Sequence, residues 1–200
     1  MPGTPSNGSL IVISAPSGAG KSTIARSVLK AFPQILFSVS ATTRCPRASE
    51  QNGREYFFLS REEFESKVRS GGLVEWEEIY GDLYGTLSSE IDRAVAARSV
   101  MLFDIDVKGG LSIKRQYPDE SVLIFIEPPS VEVLKERLLR RRTESPEVLA
   151  RRMERVPMEL AQADRFDHRV VNDDLKRAVQ EVLDIVQSVT NLHPIAASPS

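Results

Sequence analysis

Cysteine is almost missing from this 200-residue chain: Cys45 stands alone, so it forms no internal disulfide and no thiol-rich zinc site. Such sparing use fits a reducing compartment, and the expected location is cytoplasmic. Histidine is nearly as scarce. His168 and His193 lie far from Cys45 along the chain, which gives a Cys/His nucleophile pair little support. No apolar run reaches the ~18 residues that span a bilayer, so no membrane partner is expected. Residues 1–9 carry neither a basic n-region nor an apolar h-region and read as a loose tail rather than a signal peptide. A positive excess is missing too: 26 Lys and Arg face 28 Asp and Glu, a formal net charge of −2. Dedicated nucleic-acid binders are usually basic, so no nucleic-acid partner is expected. Any affinity for phosphate has to come from locally placed cations.

What is present is an ordinary core. Hydrophobic residues make up 41% and charged residues 27%, and the length fits one domain with an insertion or two. Leu10–Ser14 is a short apolar strand that opens into Gly and Lys, and a helical pattern follows over Thr23–Ala31. Short strands are expected at Phe37–Val39, Tyr56–Leu59 and Val74–Tyr80, and Ser60 with Glu63 predicts a capping box before Phe64 and Val68. Leu87–Arg98 reads as helix, and Val100–Asp106 and Val122–Ile126 as apolar strands. Val131, Leu134 and Leu138 mark one helix, Ser145-Pro146-Glu147 starts the next, Arg169–Val171 is a last strand and Asp173–Val189 a last helix. His193–Ser200 reads as a tail. Strands alternating with helices imply an α/β fold with a parallel sheet covered on both faces. The short polar strands between Phe37 and Tyr84 predict an inserted antiparallel lobe, and 137–158 a helical excursion.

Ala15-Pro16-Ser17-Gly18-Ala19-Gly20-Lys21-Ser22, with Thr23 opening the helix, matches the phosphate-loop pattern G-x-x-x-x-G-K-[ST] except for Ala15 at its first position. Backbone N–H groups that point at phosphate oxygens need small residues, and the helix N-terminus adds its dipole. Lys21 supplies a point charge to the β- and γ-phosphates, and Ser22 a hydroxyl where Mg²⁺ bridging them would sit. A strand before and a helix after favour a nucleoside triphosphate site over a ligand-free Gly/Ser-rich turn.

Arg44 and Arg47 flank Pro46, so two guanidinium forks can converge on one phosphate group. Beyond the Asn52-Gly53 turn, Tyr56 can lend a phenol to the same anion, and Tyr84 is a second candidate. Taken alone, these residues also suit a solvated basic loop. Asp104 and Asp106, two apart at a strand end, can touch a nucleotide or organise Mg²⁺ through water.

Together, Ser-x-Ser-x-Thr-Thr-Arg-x-Pro-Arg at 38–47, Asn52-Gly53-x-x-Tyr56, Val74-Glu75-Trp76, Tyr84-Gly85-Thr86 and Leu102-Phe103-Asp104-Ile105-Asp106 make a distinctive set. With Ile126-Glu127-Pro128-Pro129-Ser130 and Val171-Asn172-Asp173-Asp174-Leu175, the chain resembles the guanylate kinase family from about 10 to about 184. The resemblance implies a P-loop core (10–36, 91–130 and 159–190), a GMP-binding lobe (37–90) and a helical lid (131–158), with tails at 1–9 and 191–200. It implies that Arg44, Arg47, Tyr56 and Tyr84 hold the GMP phosphate, and that Ser40, Glu75, Thr86 and Asp104 surround the guanine. It makes Arg137, Arg141 and Arg152 the lid arginines that act with Lys21 and Arg44 in catalysis, leaves Arg140 and Arg142 solvated, and puts Asn172 near the adenine of ATP. Cys45 reads as structural.

Guanine offers N1–H and N2–H₂ as adjacent donors and O6 as an acceptor. One carboxylate, Glu75, can take both donors while Ser40 or Thr86 serves O6; adenine inverts that pattern. The implied reaction is reversible transfer of the ATP γ-phosphoryl group to GMP or dGMP, assisted by Mg²⁺, with no obligate protein partner. A phosphopeptide-binding module of guanylate kinase-like fold would lack the loop lysine, and a sugar-phosphate kinase would not need Glu75 and Thr86 together.

Overall fold

The computed structural model describes residues 10–195 apart from 49, 80 and 141–145, with backbone alone at 140, 146–149 and 151. Five parallel strands form the main sheet in the order β2-β7-β1-β8-β9: β2 (Leu36–Phe37), β7 (Met101–Asp104), β1 (Leu10–Ser14), β8 (Ser121–Glu127) and β9 (His168–Val171). Every residue of β1 is buried, as expected of a central strand covered on both sides. Its alternation assigns the two cores. Ile11 and Ile13 pack with Ile24 and Val28 of α1 (Lys21–Ala31) and with Val182 and Val186 of α7 (Leu175–Thr190). Leu10 and Val12 face Ile91 of α3 (Ser88–Ala96) and Val107 and Ile113 of α4 (Val107–Gln116).

The second sheet has the order β4-β3-β6-β5, from β3 (Ala41–Thr42), β4 (Phe57–Phe58), β5 (Leu73–Ile79) and β6 (Asp82–Leu87). Phe64 of α2 (Arg61–Arg69) plugs its small core with Ala41 and Leu83, and the Ser60/Glu63 capping box is present. Helices α5 (Val131–Arg140) and α6 (Pro146–Leu160) reach the residues that follow β9 and β1, through Arg137 to Asn172 and Arg152 to Ser17. No helix among the described residues is long and apolar enough to cross a membrane.

Four local expectations need correcting. Strand β2 belongs to the main sheet, through Phe37↔Leu102, so the second sheet starts only at Ala41. That sheet is mixed, because β3 and β4 run parallel. Asp82–Leu87, read only as a motif leading into a helix, is a strand paired along its length with β5. Asp106 is not on the strand with Asp104: β7 stops at Asp104, and Asp106 caps the unanticipated helix α4 by accepting from Gly109 N at 2.8 Å.

Candidate nucleotide site

The turn between β1 and α1 holds its shape by backbone geometry. Gly18 and Gly20 lie at φ +94° and +98°, and Ala19 N donates to Pro16 O at 3.0 Å. A Cβ on Gly20 would stand 2.3 Å from Asn172 Nδ2, and that amide donates to Ala19 O at 2.7 Å. Asn172 is therefore buried against the loop and pins it. Arg137, from α5, donates to the Asn172 carbonyl at 2.9 Å, and Arg152, from α6, donates to Ser17 Oγ at 2.7 Å. Both helices thus reach the same turn. Lys21 Nζ lies 2.5 Å from Asp104 Oδ1 and donates to Ile105 O at 2.9 Å, so the loop cation is already turned toward the end of β7. Thr23 N and Ile24 N of α1 donate to Gly20 O at 3.1 Å, and the N-terminus of this helix, directly behind the loop, brings its positive dipole end to the turn.

Two hollows adjoin this turn. One, of about 470 Å³, lies between the loop (Ser17, Lys21), strand β5 (Glu77), Asp106 and helix α6 (Arg152, Arg155). The other, of about 390 Å³, is on the outer side, lined by Gly20, Thr23, Arg137, Asn172 and Leu175.

On the second sheet, Glu75 and Thr86 are cross-strand partners, and Thr86 Oγ1 donates to Glu75 Oε1 at 2.6 Å. Gly85 beside them has to be glycine in this register, since a Cβ would come 2.7 Å from Glu75 O. Gly109 of α4 similarly leaves room for the Glu75 carboxyl, which would lie 3.1 Å from an added Cβ. Burial pushes the Glu75 acid up to about 7; the Thr86 hydrogen bond opposes this, and the nearby charges of Asp106 and Glu77 add to it. A hollow of about 410 Å³ opens beside it, lined by Glu75, Glu77, Asp106 and Gly109.

Arg44 grips a carboxylate in this state. It donates to both oxygens of Glu50 at 2.8 and 3.0 Å, while Arg47 N donates to Glu50 Oε2 at 2.8 Å. The guanidinium lies 5.3 Å from the Tyr56 ring centre, and Tyr56 meets Tyr84 edge-on with centroids 6.0 Å apart. Glu50 holds the Arg44 pKa above its ordinary value, and Arg44 holds that of Glu50 below. Both contacts come from one nitrogen, Nη2, while Nη1 donates to Cys45 O at 2.8 Å, so a carboxylate already occupies the edge that another oxyanion could take.

A P-loop on a parallel sheet is thus joined, on a second sheet, by a Glu–Thr pair and an Arg–Tyr cluster. The family model described as guanylate kinase matches residues 7–189. The chain belongs to the guanylate kinase family. It is 52% identical over 176 residues to the guanylate kinase of Chlorobium luteolum, covering 88% of this chain and 89% of that one. It is 46% identical over 182 residues to that of Rubrobacter xylanophilus, covering 91% and 95%. Among solved structures it is similar to the guanylate kinase of Anaplasma phagocytophilum, with a TM-score of 0.72 and 28% identity over 94% of this chain and 90% of that one.

Ala15 to Thr23, Asn172, Arg137 and Arg152 come together at the phosphate loop. Arg44, Tyr56 and Tyr84 form one cluster and Glu75 with Thr86 another, and Ser40 directly precedes β3, its carbonyl accepting from Phe57 N at 2.9 Å. Asn172 touches the loop backbone itself, a role that its expected place near adenine does not include. Asp104 sits on Lys21, whereas Asp106 caps α4, pairs with Arg155 and adds its charge to the surroundings of Glu75. Arg141 and Arg142 lie outside the described residues, as does the side chain of Arg140. Sequence reasoning missed Glu50, Glu77, Arg155 and Glu159. The available signals were period-2 spacing of Glu75 and Glu77 on β5 and the i, i+4 spacing of Arg155 and Glu159 on α6.

Proposed function

We propose that the protein is an ATP:GMP phosphotransferase, moving the γ-phosphoryl group of ATP to GMP reversibly to give ADP and GDP. The observation that carries this reading is the Glu75–Thr86 pair, 2.6 Å apart, whose carboxylate lines a hollow between β5 and α4. An ionised Glu75 accepts the two adjacent guanine donors, and a site built around that carboxylate leaves it unpaired against adenine. Asp106, on the same side as Glu75, is the second acceptor for the exocyclic amine. Arg44, Arg47, Tyr56 and Tyr84 hold the GMP phosphate, which displaces Glu50 from Arg44. Residues 41–90 serve as the GMP lobe and 131–158 as the lid.

The nucleophile is already a phosphate oxygen, so no general base is needed. The work is to align two polyanions and stabilise charge spread over a loose transition state. Lys21 exchanges Asp104 for the transferring phosphoryl group, and Arg137 and Arg152 bring positive charge from the helices that already reach the loop. Oxygen donors suit Mg²⁺ here: buried Asp104 Oδ1 has only the Lys21 ammonium beside it among the described residues, and Ser22 follows Lys21. Ser22, and Asp104 through water, would hold the ion, which neutralises charge on the β- and γ-phosphates.

The test is a coupled ADP-release assay with GMP, dGMP, AMP, dTMP and sugar phosphates as acceptors. GMP is expected to exceed AMP in kcat/KM by about 10⁴ or more, the discrimination typical when a wrong ligand strands a buried polar group. Comparable turnover of AMP or a sugar phosphate overturns the reading.

A further inference from the structure

Arg155 ties together three parts of the molecule: strand β5, the cap of α4 and its own helix α6. It sits on α6, one turn beyond Arg152, whose guanidinium reaches Ser17 of the phosphate loop. Its Nη1 lies 3.1 Å from Glu77 Oε1 on β5, its Nη2 3.2 Å from Asp106 Oδ2 at the cap of α4, and its Nε 3.6 Å from Glu159 Oε1. A planar guanidinium with donors on three edges can span carboxylates from separate elements, which a point-charge ammonium does not. Glu77 follows Glu75 by two on β5, so both project from the same face of that strand. Glu159 is buried, with Oε2 unpartnered, so its main compensation is the arginine beside it.

These contacts form one continuous chain: Glu75, strand β5, Glu77, Arg155, helix α6, Arg152, Ser17. We propose that Arg155 is a positioning residue that couples guanine binding on the second sheet to seating of α6 on the phosphate loop, so that each substrate strengthens the binding of the other. Fixing Glu75 on a base fixes Glu77, and Glu77 draws Arg155 and its helix toward the loop where ATP is held. Reciprocity is required: whatever factor GMP applies to the ATP affinity, ATP applies to the GMP affinity. The inference rests on Glu75 being the guanine carboxylate.

The test measures Kd for GMP by calorimetry, alone and with saturating Mg²⁺ and a non-hydrolysable β,γ-imido analogue of ATP. It compares the wild-type protein with Arg155→Met, Glu77→Gln and the double variant, each checked for an intact thermal transition. In the wild type the analogue is expected to tighten GMP by about fivefold or more. In either single variant that factor should fall to near one while Kd for GMP alone stays within about twofold, and the double variant should lose nothing further, as partners in one contact do. Because the cluster is partly exposed, ~0.5 M salt should weaken the wild-type factor and leave the Arg155→Met value unmoved. Glu77→Gln keeps the test open if Arg155→Met does not fold. A retained factor in both variants overturns the proposal, as does a loss confined to kcat, which would make Arg155 a contact of the transferring group. If the wild-type protein fails to bind GMP at all, the base assignment fails first, a different result from GMP binding without coupling.

Discussion

Guanine binding should release a proton and tighten as pH rises toward neutrality, because the Glu75 acid is held at about 7 in the free protein. Burial is the main cause, the charges of Asp106 and Glu77 add to it, and the Thr86 hydrogen bond only partly offsets them. The protonated acid presents one hydrogen to guanine where two acceptors are needed. The bound form, with two N–H donors on the carboxylate, therefore favours ionisation, and binding pulls the proton off. With a midpoint near 7, roughly one-eleventh of the free protein is competent at pH 6 and roughly ten-elevenths at pH 8, so Kd should fall about tenfold over that span. The phosphate of GMP titrates near ~6 itself, so guanosine is the ligand that isolates Glu75. Calorimetry in two buffers of different ionisation enthalpy counts the protons directly. Glu159 is also held at about 7, by burial first, so Glu75→Gln is the necessary control. That variant should bind guanosine more weakly by about 10- to 100-fold, since an amide donor faces the guanine donors, and it should lose the pH dependence. A Kd for guanosine that is flat between pH 6 and 8, or proton release that persists in Glu75→Gln, refutes the assignment.

Three further outcomes are expected. Gly20→Ala combines a left-handed backbone with a Cβ 2.3 Å from Asn172 Nδ2, so ATP affinity should collapse while GMP affinity, measured by titration, is unchanged. Lys21→Met should lower kcat by on the order of 10²–10³ in the ADP-release assay, with the GMP KM little affected. Glu159 keeps its proton up to about 7 in the folded state, whereas the unfolded chain releases it near its ordinary value of 4.5. The folded protein thus binds more protons between those values, and its stability is worn down as pH rises through that window. Glu159→Gln should accordingly raise stability at pH 8 by at most about 3 kcal/mol and leave pH 4 unchanged in urea unfolding.

What could be read from the sequence was what short segments decide for themselves. Leu10–Ser14 followed by Gly18, Gly20 and Lys21 leads to a strand, a left-handed turn and a helix because each step is local chemistry. The Ser60/Glu63 box is of the same kind. Helix α4 escaped because Gly109 and Gly110 lower its local propensity, and Gly109 is needed by a residue 34 positions earlier: a Cβ there would crowd the Glu75 carboxyl. Overlooking that helix left Asp106 on a strand and turned it the wrong way. Arg155 was one arginine among many on a helical segment, and nothing local distinguishes it from a solvated neighbour. Its partners Asp106 and Glu77 lie 49 and 78 positions away, so only the assembled fold selects it.

The near-balance of charge follows from the same long-range assembly. Lys21 rests on Asp104, Arg44 on Glu50, and Arg155 among Glu77, Asp106 and Glu159. Several cations that line the nucleotide site are thus matched by a carboxylate before any phosphate arrives. Unmatched, a cluster of inward cations would repel one another and weaken the compact state. Matched, the cluster is relieved of that repulsion, and an incoming phosphate would have to displace a carboxylate to bind. Binding would then be an exchange of one anion for another, in which the Arg44 nitrogen that holds both Glu50 oxygens passes to the incoming oxyanion.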